Sequence, residues 1–320
     1  MSVNADKTSR WKQDITQSVD FYNKWFMQYA PKAYRDTRVK AIKQVEAAMK
    51  LTSNLTDITP TVLRGKPALL GMLRMATAPP IARDRLVGLA EVSQNLVREI
   101  EIKGKIPPRM PETLINTELE KISRLIVQML DKDIFPWFET GEIPDDEEVH
   151  RASTIVADRL CGSQSDPIIR NAQERRQFDY VKQWLELRGY SDVSSAKGLK
   201  FEKMTPGTFV FRLNIPVKLG IERKQVNVPV DIVIMPKLAK AGELPLLIEA
   251  KSAGDFTNPN KRRKEEAMKI SQLRKTYGNN IHYVLFLCGY FDSGYLGYEA
   301  AEGIDWVWEH RIEDLAQFGV

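Results

Sequence analysis

Apolar residues in the first half of the chain recur at intervals of three and four. Ile15, Val19, Tyr22, Phe26 and Tyr29 follow one another in this way, the period of a helix that buries one face. The same pattern predicts helices over 34–51, 81–102, 113–130 and 145–161. Pro79 and Pro80 stand just before the helix at 81, and Pro107, Pro108 and Pro111 follow its end, positions where proline marks a boundary. Asp145, Asp146, Glu147 and Glu148 open the last of these segments, and the aligned peptide dipoles favour acidic side chains at a helix N-terminus. No strand-like alternation of any length occurs before about residue 200.

The second half has a different grain. A helix over 166–189 ends at Gly189, and three short runs rich in β-formers follow at 208–217, 225–235 and 244–252. A basic helix at 261–277 is closed by Gly278, and a continuous apolar strand occupies 282–288. Short connections favour antiparallel pairing of the first three strands, and the helical crossover favours a parallel return. The expected fold class is α+β: an all-helical N-terminal half, then an αβββαβ core whose central mixed sheet is flanked by helices. Two domains are expected, 1–162 and 163–320, divided where the pattern changes.

Composition narrows the picture. The 320 residues are 43% hydrophobic and 28% charged with a net charge of +5, the profile of a globular chain. Cys161 and Cys288 are too few for a disulfide framework or a Cys-rich zinc site, so a reducing cytoplasm is the expected setting. The longest apolar run, 283–291, falls far short of the roughly 20 residues that span a bilayer, and the N-terminus lacks the apolar core of a signal peptide. No membrane partner is expected. The positive charge is concentrated: residues 261–275 hold seven basic and two acidic side chains, leaving 40 of each sign elsewhere.

Two apolar runs carry isolated charges. Asp231 interrupts Val228-Pro229-Val230-Asp231-Ile232-Val233-Ile234, and Glu249 and Lys251 interrupt Leu246-Leu247-Ile248-Glu249-Ala250-Lys251. A lone charge inside a buried strand costs free energy unless it is partnered. If 244–252 is a strand, Glu249 and Lys251 share a face; if it is a helix, they diverge. Paired strands would bring two carboxylates together as a hard oxygen site for a divalent cation, most readily Mg²⁺, with the Ala250 carbonyl as a third ligand. Lys251 beside them would hold a water, an arrangement suited to phosphodiester hydrolysis. The alternative is an exposed Glu249 and Lys251 with Asp231 as a strand-end cap.

Glu174, on the helix before the sheet, is a candidate to complete that metal shell; a surface ion pair with Arg170 or Arg175 is the competing assignment. Lys261, Arg262, Arg263 and Lys264 open the basic helix and are candidates to grip phosphates, with Asn258 and Asn260 in the preceding loop as further contacts to DNA. Other chemistries find no support. His150, His282 and His310 are scattered, and the chain has neither a Walker-type Gly-rich loop nor a Gly-x-Ser-x-Gly elbow.

With its helix and strand order, the pattern Asp231…Glu249-Ala250-Lys251 resembles the PD-(D/E)XK nuclease superfamily, although its proline, Pro229, stands two residues before the acid. More narrowly the chain resembles the XamI-type restriction endonucleases. The likeness lies in the stretches at 18–26, 166–174, 246–255 (LLIEAKSAGD), 261–266 and 289–308, and so runs over nearly the whole chain. The resemblance implies a Mg²⁺-dependent type II restriction endonuclease that cuts both strands of a short palindromic site in double-stranded DNA, GTCGAC, in defence against foreign DNA. It implies that Asp231 and Glu249 bind the metal and that Lys251 orients the attacking water. A palindrome read by a twofold-symmetric protein implies a homodimer, and the host would need a cognate DNA methyltransferase. The helical half would supply dimer or DNA contacts, with Arg83 and Arg85 as candidates. A repair or structure-specific nuclease and a non-catalytic DNA-binding protein are the alternatives.

Overall fold

A computed structural model describes residues 2–196, 198–219, 224–240 and 242–320, without the side chains of 219, 224, 258 and 260–263. The chain forms two compact units: Met1–Tyr29 with Arg170–Val320, and Ala30–Ile169. A single cut near 162 does not describe this division. Residues 2–29 pack in the sheet unit because Asp305 accepts the main-chain N–H groups of Val3, Asn4 and Ala5. Trp11 also packs edge-on to Trp306, with ring centroids 5.5 Å apart. Contacts some 300 residues apart leave no trace in local periodicity.

The unit formed by Ala30–Ile169 is helical. Helix α1 (Thr8–Leu51) enters it, α2 (Pro60–Gly65), α3 (Leu70–Met75), α4 (Arg83–Ala90), α5 (Gln94–Lys103), α6 (Glu112–Gln128) and α7 (Trp137–Thr140) follow, and α8 (Asp146–Leu187) leaves it. Its core includes Val45, Leu63, Leu73, Leu96, Leu119, Ile122, Phe135 and Val156. The helical series from Ile15 to Tyr29 and the helix expected at 34–51 are one helix, with Pro31 inside α1, and α8 likewise runs through Pro167. Proline's fixed φ suits a helix; the lost hydrogen bond and the steric clash are offset where both flanks are packed. The helix expected over 81–102 breaks instead at Glu91, which is left-handed (φ 51°), and restarts where Ser93 accepts the Leu96 N–H.

Among the described residues of the other unit, six strands form one mixed sheet in sequence order. They are β1 (Ser191–Asp192), β2 (Thr208–Leu219), β3 (Lys224–Met235), β4 (Leu246–Ala253), β5 (Tyr283–Gly289) and β6 (Asp305–Trp308). β2, β3 and β4 are antiparallel neighbours, and β5 returns parallel to β4 after helix α9 (Asn258–Tyr277). The expected αβββαβ order is present as α8, β2, β3, β4, α9 and β5. Helix α10 (Ser293–Ala301) and β6 extend it.

The sheet separates two cores. Phe209, Ile232, Ile248 and Phe286 pack with Val181, Trp184 and Leu185 of α8. Val233, Leu247, Leu285 and Trp306 pack with Ile270 and Leu273 of α9. At the end of β5 the backbone turns at Gly289 (φ 97°), where a Cβ would lie 2.1 Å from the Ala253 carbonyl oxygen. Only glycine fits there, and the close approach lets Ala253 accept the Tyr290 N–H at 3.0 Å.

Candidate active site

The segment expected at 244–252 is a strand, so its side chains alternate. Leu246 and Ile248 belong to the core under α8, and Leu247 belongs to the core under α9. Glu249 and Lys251 continue the Leu247 series and reach residues of α9. The β3–β4 ladder ends at the Ile232–Ile248 pair. Asp231 is the next residue outward, and its Oδ2 accepts the Ala250 N–H at 2.9 Å. The sheet therefore brings Asp231, Glu249, Ala250 and Lys251 to one edge of the β3–β4 pair, as the spacing predicts for paired strands.

Helix α8 steadies this edge from the opposite face. The buried Gln177 side-chain amide donates to the main-chain carbonyls of Lys251 and Phe286, each at 3.3 Å. A cavity of about 350 Å³ opens beside Lys251, lined by Arg170, Gln173, Ser252, Gly254 and Glu266 among others.

Charge at the edge is tightly coupled. Burial, and then the neighbouring Glu249 carboxylate, push the Asp231 carboxyl up to about 6, against the pull of the Ala250 N–H and two lysines. Glu249 Oε1 accepts from Lys269 Nζ at 2.6 Å and lies 3.6 Å from Lys251 Nζ. Its Oε2 is buried with no hydrogen-bond partner among the described residues. Lys251 forms an ion pair with Glu266. Burial would lower the Lys251 ammonium, but the Glu266 and Glu249 carboxylates outweigh it and hold it above the ordinary lysine value.

These donors fit a divalent cation. Two carboxylates, one with an oxygen that has no hydrogen-bond partner among the described residues, and an adjacent main-chain carbonyl make a hard oxygen set. Among the described residues no group of three or more His, Cys, Asp or Glu gathers as a full cage. A cation here would draw the rest of its shell from water or phosphate oxygens, the usual habit of Mg²⁺ at phosphoryl sites.

Other expected site residues lie elsewhere. Glu174, on α8, accepts from Arg212 Nη2 at 2.8 Å, and both side chains are well exposed. The partner is neither Arg170 nor Arg175 but a residue of β2. Arg212 stands between the Phe211–Ile232 and Leu213–Val230 pairs, opposite Asp231, and has a left-handed backbone (φ 56°). Arg83 pairs with Glu101 at 3.3 Å, and Arg85 is exposed at the start of α4. Lys264 is exposed on α9. Asn258, Asn260, Lys261, Arg262 and Arg263 fall in the first turns of α9, and their side chains lie outside the described residues.

Two residues were not singled out from the sequence. Glu266 and Lys269 enter there only in the charge count of residues 261–275, yet both turn inward to β4. The signal is their spacing with Ile270 and Leu273, which places all four on one face of α9.

The family model described as XamI restriction endonuclease matches residues 53–308. The chain belongs to the XamI restriction endonuclease family. It is by that membership a site-specific endodeoxyribonuclease. Within the curated proteins, the type II restriction enzyme SalI of Streptomyces albus G is 55% identical over 317 residues, covering 99% of each chain. Among solved structures, protein VC1899 from Vibrio cholerae aligns over 80% of this chain and 55% of its own, at a TM-score of 0.28 and 12% identity. A likeness that slight carries no argument.

Proposed function

We propose that this member of the XamI family is a type II restriction endonuclease of the PD-(D/E)XK kind. It hydrolyses one phosphodiester bond in each strand of a short palindromic duplex site, GTCGAC, with Mg²⁺, in defence against foreign DNA. The observation that carries the reading is the meeting of Asp231, Glu249 and Lys251 at one sheet edge beside a cavity. Near-complete alignment with a type II restriction enzyme at 55% identity supports the same class.

In this reading Asp231, Glu249 and the Ala250 carbonyl hold the cation, which would supply Lewis acidity to offset charge developing on the phosphoryl group. Lys251 donates to the attacking water and fixes its approach to phosphorus. Gln177 keeps the β4 backbone in place, so that the carboxylates and the ammonium stay aligned. The first turns of α9, with Lys261, Arg262, Arg263 and Lys264, hold the flanking phosphates. Arg83 and Arg85 add contacts from the helical unit. Twofold symmetry of the site calls for a homodimer with one active site per strand, and a separate methyltransferase protects the host's own sites.

The test is a digest of a sequenced plasmid. Discrete fragments ending at GTCGAC are expected with Mg²⁺, and intact plasmid with EDTA. A smear, or no cutting with Mg²⁺, would overturn the reading.

A further inference from the structure

The roles above leave Glu266 unused, although it is the carboxylate that holds Lys251. Glu266 is 1% exposed. One of its oxygens pairs with Lys251 Nζ, and the other is buried without a hydrogen-bond partner among the described residues. The contacts run in alternating charge, Lys269 to Glu249 to Lys251 to Glu266. Strand β4 supplies the inner two and α9 the outer two. A carboxylate beside Ile270 and Leu273 on the inner face of α9 is costly to bury, and a buried ion pair such as Lys251–Glu266 often adds no stability over apolar residues replacing both partners. Its place on the wall of the cavity beside Lys251 gives it a different use.

We propose that Glu266 is a positioning residue for DNA cleavage. A lysine ammonium is a compact charge on a flexible stem, so the carboxylate it pairs with most closely fixes where it sits. Glu249 and Glu266 both lie in reach of Lys251, and Glu266 takes it. Glu249 Oε2 is thereby left open for the metal, and the Lys251 ammonium is fixed at the cavity instead of collapsing onto Glu249. The inference rests on the assignment of Glu249 and Lys251 to the cleavage site.

Glu266→Gln, Glu266→Asp and the exposed neighbour Glu265→Gln separate a positioning role from a structural one. Single-turnover cleavage with Mg²⁺ is expected to fall roughly 10²-fold in Glu266→Gln, the scale of a misplaced reacting group. KM and DNA affinity measured in EDTA stay within about twofold of wild type, because the residue touches no DNA. Glu266→Asp, which keeps the charge on a shorter stem, recovers part of the rate, and Glu265→Gln cuts like wild type. Wild-type rates in Glu266→Gln would overturn the proposal. So would a loss of rate matched by a loss of binding, or one that Glu266→Asp does not lessen. Should Glu266→Gln melt below the assay temperature, the kcat and KM of Glu266→Asp decide, with an unchanged kcat overturning the inference. Failure of the wild type itself to cut would instead strike the underlying endonuclease reading.

Discussion

Around Glu249 one carboxylate faces two lysines, and the distances assign them different tasks. Lys269 sits on Oε1 at 2.6 Å, whereas Lys251 stands off at 3.6 Å and is drawn to Glu266. Lys251→Ala is expected to abolish plasmid cleavage while leaving duplex binding in a gel-shift assay intact, since binding rests on phosphate contacts elsewhere. Residual cutting at the wild-type rate would reject Lys251 as the water-orienting group. A second residue-scale consequence concerns Glu299, which is fully buried. Burial, and then the nearby Glu266, push its carboxyl up to about 8. The unfolded chain releases this proton near the ordinary value of 4.5, so the folded state loses stability as pH rises from there to about 8, by a few kcal/mol in order of magnitude. Glu299→Gln has no proton to lose. Its melting temperature relative to wild type should rise between pH 5 and pH 9, and an advantage independent of pH would contradict the assignment. Asp231, Glu249 and Lys251 were legible because each interrupts an otherwise apolar run. Glu266 and Lys269 were not, because a charge among charges looks solvated until the helix face is known.

Helix α9 shows how an element can serve two purposes. Its opening run is basic, while farther along Lys269 turns to Glu249 and Arg274 donates to the carbonyls of Glu302 and Gly303 at 2.8 Å. Part of the positive excess counted in the sequence is therefore used inside the protein, and the charge left for DNA gathers toward the N-terminal end. Replacing Arg262 and Arg263 together with Gln should weaken DNA binding and flatten the log–log salt dependence by about two, roughly one unit for each phosphate no longer neutralised. An unchanged slope, measured by salt titration of affinity, would remove this helix from the interface. The strands of the core were readable from β-forming runs and turn residues, and their pairing followed from short connections. Helix continuity through Pro31 and Pro167 was not readable. Proline is a local stop signal, and packing on either side decides whether the chain obeys it.

At the scale of the molecule, the two compact units do not follow one another along the chain: the first 29 residues belong with the sheet. The proposed symmetric attack on both strands predicts a particle of twice the 36.6 kDa chain mass in sedimentation. On a plasmid with one site, it also predicts linear product without build-up of a nicked circle. A monomer that nicks the strands in separate encounters would contradict it. The sequence by itself determined the helical and mixed halves, the order of the core elements and the three charged residues at the sheet edge. Each of those follows from periodicity, or from a polar residue out of place within a few neighbours. Only the tertiary structure decided that the N-terminus docks on β6, that Glu174 pairs with Arg212, and that Lys251 is held by Glu266. These depend on burial and on contacts between distant segments, whose energies are fixed by what surrounds a side chain and not by what precedes it in the chain.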